Sequence, residues 1–225
     1  MAKGDLKHLG IIMDGNRRWA KKAGKPAIEG HRQGYKNLKD LLSAVKDLDI
    51  DTVSVYAFST ENWNRSHEEV EGIMGLLRWV MKNELNDLIK EGIRVRWIGS
   101  EDRVPKDIIA LMRNAEEKTK DLTEGTLAIC FNYGGHQEIV DAANKAAESG
   151  EISQETITKN LYAPDIAPMD LLIRTSGEKR ISNFMLWRME YAELHFTDTL
   201  WPDFSRQELR DIVNDYHGRS RRFGA

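Results

Sequence analysis

Among 225 residues there is one cysteine, Cys130, so no intramolecular disulfide can hold the fold, and a lone thiol fits a reducing compartment. Long apolar runs are missing too, and with a mean hydropathy of -0.55 no stretch reads as a spanning helix. The opening residues, Met1 to Lys7, carry no apolar segment of the kind an export signal needs, which predicts a cytoplasmic protein. Neither charge sign is in excess. Lys and Arg number 33 against 36 Asp and Glu, a formal net charge of -3, so any basic site is local and general nucleic-acid binding is not indicated. There is no internal repeat, no low-complexity segment, no Walker loop and no G-x-G-x-x-G, which removes the usual signatures of a nucleoside triphosphate or NAD. What is present, 40% apolar residues without a break in composition, is enough for one domain over residues 1–225.

The informative stretch is His8–Lys25. An apolar run, Leu9 to Met13, stops at Asp14-Gly15-Asn16 and passes into a basic segment, as when a buried parallel strand delivers a loop and a helix to the carboxyl edge of a sheet. Gly15 permits close backbone approach, and Arg17, Arg18, Lys21 and Lys22 add positive charge, which suits a phosphate or diphosphate. Asp14 conflicts with an anion unless a cation lies between them, so it argues for Mg²⁺ shared with the ligand's oxygens. The same strand-turn pattern also serves as a solvated surface turn.

Further along, Gly30 to Asp47 carries a helical stripe from Leu38 to Leu48 with His31 at its start, a capping or phosphate-contacting position. Thr52 to Phe58 reads as a strand, and Ser59 to Arg65 after it concentrates a hydroxyl, a carboxylate, an amide, an indole and a guanidinium that packing does not require. Ser66 and Glu69 form a capping box for one long helix ending at Gly92, whose apolar stripe suits plain core or the wall of a lipid tunnel. Strands are expected at Ile93–Ile98, Thr126–Phe131, Asp170–Arg174 and Leu194–Phe196. Helices are expected from Pro105 to Lys120, through Ile139, Val140, Ala143 and Ala147, near Gln154–Leu161, over Asn183–Tyr191, and after the capping pair Ser205 and Glu208. Arg174, Arg180 and Ser182 offer donors for a second phosphate, or pair with surface carboxylates.

Strands alternating with helices, with polar loops at three strand ends, resemble the cis-prenyltransferases, most nearly bacterial undecaprenyl diphosphate synthases. The matching motifs are H-x-x-I-I-M-D-G-N-x-R-W-A at His8–Ala20, Y-A-F-S-T-E-N-W-x-R at Tyr56–Arg65 and N-Y-G-G at Asn132–Gly135. They continue with D-L-x-I-R-T-x-G-E-x-R-I-S-N-F at Asp170–Phe184, Y-A-E-L at Tyr191–Leu194, W-P-D-F at Trp201–Phe204 and R-R-F-G at Arg221–Gly224. The resemblance implies an α/β domain with a mainly parallel six-stranded sheet flanked by helices, a hydrophobic tunnel, a homodimer, and neither a Rossmann fold nor the all-α fold of trans-prenyltransferases. The implied reaction is Mg²⁺-dependent, sequential condensation of isopentenyl diphosphate onto an allylic diphosphate such as farnesyl diphosphate. Its product is a long polyprenyl diphosphate such as undecaprenyl diphosphate, the precursor of the lipid carrier for cell-wall and glycan synthesis. Membrane contact is peripheral at most.

Carried over by position, the resemblance makes Asp14 the central catalytic residue and Mg²⁺ ligand. Gly15, Asn16, Arg17, Arg18, Trp19 and His31 fall in the allylic diphosphate site. Ser59, Thr60, Glu61, Trp63 and Arg65 match substrate contacts, and Asn62 the proton acceptor, although a neutral amide is a poor base and orients an oxygen more readily. Arg174, Arg180, Ile181 and Ser182 match the isopentenyl diphosphate site. Glu193 matches a second Mg²⁺ ligand reaching across the dimer, and Arg222 and Gly224 match the R-x-G tail that serves the neighbouring subunit. One position departs: relatives carry an arginine where this chain has Ala27. A non-catalytic partner subunit of the same fold would explain Ala27 but not the retained Asp14, Asn62, Arg174 and Arg180. A binder of phosphate backbones would gain nothing from Asp14.

Overall fold

The computed structural model describes residues 6–219. Six parallel strands form one sheet in the order β3-β4-β2-β1-β5-β6. They are β1 (His8–Ile12), β2 (Thr52–Ser59), β3 (Ile93–Ile98), β4 (Gly125–Tyr133), β5 (Leu171–Arg174) and β6 (Glu193–Phe196). The helices between them are α1 (Asn16–Lys22), α2 (Ala27–Lys46), α3 (His67–Asn83), α4 (Leu85–Lys90), α5 (Lys106–Thr119), α6 (Gly135–Glu148) and α7 (Gln154–Asn160), and α8 (Arg206–Gly218) follows β6. β1 lies where the order reverses, with β2 on one side and β5 on the other, and a crevice opens at the carboxyl ends of such a switch point.

The two faces of the sheet bury different residues because side chains alternate along a strand. On β4, Leu127, Ile129 and Phe131 join the larger core under α2, α3, α5 and α8, while Ala128, Cys130 and Tyr133 join a smaller core with Ile166, Leu172 and Phe184 on the other face. Cys130 is fully buried, and burial raises its thiol well above the ordinary value.

Three sequence expectations are corrected. The helix expected over Asn183–Tyr191 is absent, because Ser182, Asn183 and Met185 take positive φ of 50°, 62° and 37°, and only a short 3-10 turn at Leu186–Arg188 remains. The single helix to Gly92 is two, parted at Glu84, which ends α3 and opens α4. In α6 the inward residues are Gly135, Glu138, Ala142 and Ala146, while Val140 is exposed. The stripe is rotated because Glu138, though charged, faces in. It accepts from Arg188 Nη1 at 2.9 and 3.2 Å and from the Tyr133 hydroxyl at 2.6 Å. Arg188 Nη2 donates to the Ala163 carbonyl at 2.7 Å, so one buried pair ties the irregular 183–191 segment to α6.

Such a pair is costly to break because the survivor keeps its charge without water. Arg188→Ala should therefore lower unfolding free energy by about 3–5 kcal/mol in urea titrations, and Glu138→Gln combined with Arg188→Met should recover much of the loss. A loss below about 1 kcal/mol for Arg188→Ala would show that the pair is solvated.

Candidate active site

At the end of β1 the backbone of Asp14 is pinned from two sides. Its carbonyl accepts from Trp201 N at 3.0 Å and from the Thr175 hydroxyl at 2.6 Å. Gly15 follows with φ 110°, and a Cβ there would meet Leu200 at 3.0–3.1 Å, so the sharp exit into α1 requires glycine. α1 is then pressed against α2, where a Cβ on Gly30 would stand 2.0 Å from the Asn16 carbonyl oxygen. This packing aims Asn16, Arg17 and Arg18 at the crevice, and the buried Asn16 Oδ1 has no partner there.

At the neighbouring strand end, β5 supplies Arg174. Its guanidinium is buried, donating from Nη2 to Asp14 Oδ2 at 2.9 Å and from Nη1 to Ser182 Oγ at 2.6 Å and the Arg180 carbonyl at 2.5 Å, while Nε has no partner. Arg18 Nη2 reaches Asp14 Oδ1 at 3.3 Å. Burial pushes the Asp14 carboxyl up, but the Arg174 hydrogen bond and the charges of Arg174 and Arg18 outweigh it and leave the group below its ordinary value. Asp14 is thus ionised between two cations.

On the other flank, a β-bulge near Phe58 ends the β2–β4 ladder, and Ser59 caps a 3-10 turn over Thr60–Asn64. The cap is reciprocal, with Ser59 N donating to Asn62 Oδ1 at 3.2 Å, so the Asn62 amide is oriented by its own turn. Behind it, Arg65 donates to Glu69 Oε1 at 2.9 Å, His31 Nε2 lies 3.4 Å from the same oxygen, and Arg17 Nε lies 3.6 Å from Oε2. Burial, then the Arg65 charge, holds His31 below its usual pKa against the pull of Glu69.

These loops rim a single cavity of about 1150 Å³, larger than most small-molecule sites. Asp14, Gly15, Asn16, Arg17, Arg18 and His31 line its polar mouth, together with Ser59, Glu61, Asn62, Arg65, Arg174, Arg180 and Ser182. Inward the wall turns apolar, with Ile73, Leu77 and Val80 of α3, Leu38 and Leu42 of α2, and Leu127 and Ile129 of β4. The stripe on α3 therefore does both jobs: Val70 and Met74 are core, whereas Leu77 and Val80 face open space.

Other expected residues stand apart from the cavity lining. Trp19 donates its indole N–H to Asp203 Oδ1 at 2.8 Å, and Trp63 donates to Asn132 Oδ1 at 2.7 Å while packing on Phe58, so both rings fix loops. Thr60 bonds Glu61, and Ile181 packs on the smaller core. Glu193 pairs with Leu171 at the amino end of β5, the opposite edge from Asp14, and is held by Arg219 at 3.0 Å. Arg222 and Gly224 lie outside the described residues. Sequence reasoning treated Glu69 only as a helix cap, although an acid three residues past a Ser cap and four past an arginine can also gather cations. It also missed Asn183, whose side chain accepts from His136 N at 2.9 Å and donates to Glu61 Oε1 at 3.2 Å, linking two loops.

No cluster of three His, Cys, Asp or Glu side chains that could hold a metal occurs among the described residues. Mg²⁺ does not need one, since it commonly binds one or two carboxylates and completes its shell with substrate phosphates and water. The ionised Asp14 at the polar mouth fits that arrangement.

Residues 12–224 match the family model described as "Putative undecaprenyl diphosphate synthase". Isoprenyl transferase 2 of Corynebacterium glutamicum is 45% identical over 97% of this chain and 93% of its own. Lavandulyl diphosphate synthase from Lavandula x intermedia, crystallised with dimethylallyl diphosphate, superimposes with a TM-score of 0.93 at 33% identity, covering 98% of this chain and 99% of that one. The probable undecaprenyl diphosphate synthase of Campylobacter jejuni gives 0.85 at 34% identity, covering 99% and 100%.

Because the Asp14 carboxyl sits below its ordinary value when folded, its contribution to stability is complete above the unfolded value of 3.8 and is lost as pH falls through the folded one. Asp14→Asn should lower unfolding free energy by about 1–3 kcal/mol at neutral pH, with Arg174 left short of its counter-charge. The difference should narrow as urea titrations are carried below pH 3.8. A difference that persists unchanged in acid would mean that Asp14 is not the titrating partner.

Proposed function

Because the chain belongs to the undecaprenyl diphosphate synthase family of cis-prenyltransferases, we propose that this isoprenyl transferase condenses isopentenyl diphosphate repeatedly onto an allylic diphosphate, farnesyl diphosphate in the first instance. The observation that carries this reading is one cavity with a charged mouth and a long apolar interior. A diphosphate needs the first and a lengthening hydrocarbon the second. The dimethylallyl diphosphate bound to the lavandulyl enzyme supports an allylic diphosphate as the ligand of this fold.

The allylic diphosphate is assigned to the α1 side, where Arg17 and Arg18 stand at the cavity, and isopentenyl diphosphate to Arg180 and Ser182. Arg174 lies between them, already holding Ser182 and Asp14. In the reaction the C1–O bond of the allylic substrate breaks and its electron pair leaves with diphosphate. C1 bonds to C4 of isopentenyl diphosphate, and a proton leaves C2 for a diphosphate or water oxygen to restore a double bond. Asp14 would hold Mg²⁺ at this mouth, and the ion would supply Lewis-acid stabilisation of the charge that develops on the leaving group. Arg17 and Arg18 stabilise the same charge by oriented N–H donation. Asn62, whose Oδ1 is occupied by Ser59 N, positions an oxygen and is not itself the base. Water excluded by the apolar wall would otherwise capture the electron-poor carbon.

The active species in this proposal is a homodimer. Glu193 sits at the wrong edge of its own sheet to share an ion with Asp14, so it, and the tail bearing Arg222 and Gly224, serve a neighbour. No described helix is long and apolar enough to cross a membrane. We place the enzyme in the cytoplasm, in peripheral contact with the bilayer that receives the product, and read that product as the polyprenyl diphosphate precursor of a glycan carrier, undecaprenyl diphosphate by family type.

Incubation with farnesyl diphosphate, labelled isopentenyl diphosphate and Mg²⁺ should yield labelled polyprenyl diphosphates on reversed-phase chromatography, and Asp14→Ala should yield none. Ala27, the first residue of α2, lines the same cavity as Arg17, whose side chain is 62% exposed and pairs with Glu69 at 3.6 Å. An Arg–phosphate bond is worth about 1.5–3 kcal/mol, so Ala27→Arg should lower the KM for farnesyl diphosphate roughly ten- to a hundredfold and leave that for isopentenyl diphosphate unchanged. If Arg17 already fills the role, Arg17→Gly should cost that affinity only in the Ala27 background. Equal effects on both substrates would refute the division of the two sites.

A further inference from the structure

The apolar cavity does not close on apolar side chains. α2 and α3 both start at the polar mouth and run away from it, so position along them measures depth. Lys39 is eight residues past His31, about 12 Å, and Met81 is twelve past Glu69, about 18 Å. At that depth the lining changes back to charge: Lys39 of α2, Glu84 at the break between α3 and α4, and Asp87 and Glu91 beyond it. Lys39 Nζ bridges Glu84 and Asp87, the latter at 3.0 Å, and Tyr35 stands beside Glu84 with its phenol raised by burial and then by that carboxylate. Two turns further along α2, Lys46 Nζ donates to the Glu91 carbonyl at 2.8 Å. The Glu84 side chain is 16% exposed while those of Lys39 and Asp87 are 48% and 46% exposed, so this bridge runs from the protein wall to the surface.

We infer that Lys39, bridging Glu84 and Asp87, is a specificity-determining latch that closes the far mouth of the cavity and limits how long the hydrocarbon chain can grow. The inference rests on reading the cavity as the path of that chain. An advancing apolar tip gains by leaving water along Leu38, Leu77 and Val80, but beyond them it would have to strip water from three charges or part them. Glu84, the residue that ends α3 and starts α4, turns toward Lys39.

Two measurements on Lys39→Ala, Lys39→Arg and Glu84→Gln test the latch, each variant first checked for an unaltered melting curve. In turnover, Lys39→Ala and Glu84→Gln should shift products to longer chains by one or more five-carbon units, with the first condensation changed by less than about twofold. Lys39→Arg, which keeps the bridge, should retain the original length. In binding, a series of alkyl monophosphates of increasing length should gain affinity up to a plateau, and the plateau should move to longer chains in Lys39→Ala. Products and plateau both unchanged in Lys39→Ala and Glu84→Gln would overturn the latch. A shifted plateau in an enzyme that makes no polyprenyl product would uphold the latch and overturn the reaction proposed above.

Discussion

The ion pair between Asp14 and Arg174 is the contact on which the site depends. It joins the ends of β1 and β5, neighbours at the point where the strand order reverses, across 2.9 Å. A buried guanidinium without a counter-charge would be expensive, and a carboxylate at an anion site would repel the ligand it is meant to serve. Together they resolve both difficulties. Asp14 is kept ionised by Arg174 and Arg18, and Arg174 holds Ser182 and the Arg180 carbonyl in place while one nitrogen stays unpaired. The pair also stands between α1 on one side and the 180–182 loop on the other.

The second constraint is that α2 and α3 cover the sheet without closing on it. Each strand residue facing them, such as Leu127 or Ile129, is apolar, so the open volume is dry-walled and suited to hydrocarbon. Charge reappears only at the two ends. The proposal of sequential chain growth rests on this polarity along one axis: in that proposal new units enter at the charged mouth and the completed chain moves toward Lys39.

Much of this could be read from the chain itself. The β1 run ending at Asp14-Gly15, the loops after β2 and β5, and the caps at Ser66 and Ser205 are local signals, with donors and acceptors a few residues apart, and the structure places them as the pattern predicts. The misreadings concern interactions distant in sequence. Nothing near Asn183 shows that its φ is positive, because the cause is the loop's anchoring on α6 and Arg188's reach to Glu138, 50 residues away. The same buried pair turned the apolar-looking Val140 outward. The resemblance puts Trp19 and Trp63 among the substrate contacts, and in the structure each donates its N–H to a neighbouring loop, to Asp203 and Asn132. The far mouth was invisible because Lys39 and Glu84 are 45 residues apart and each alone resembles solvated surface.

The central claim, that a diphosphate sits at the Asp14 mouth while its hydrocarbon runs inward between α2 and α3, is tested most directly by a crystal structure with a non-reactive farnesyl thiodiphosphate and Mg²⁺. The account predicts phosphate oxygens against Arg17 and Arg18, the ion on Asp14, and the farnesyl chain along Leu38, Ile73 and Leu77. A farnesyl chain lying outside the cavity, or a diphosphate bound away from Asp14, would contradict it.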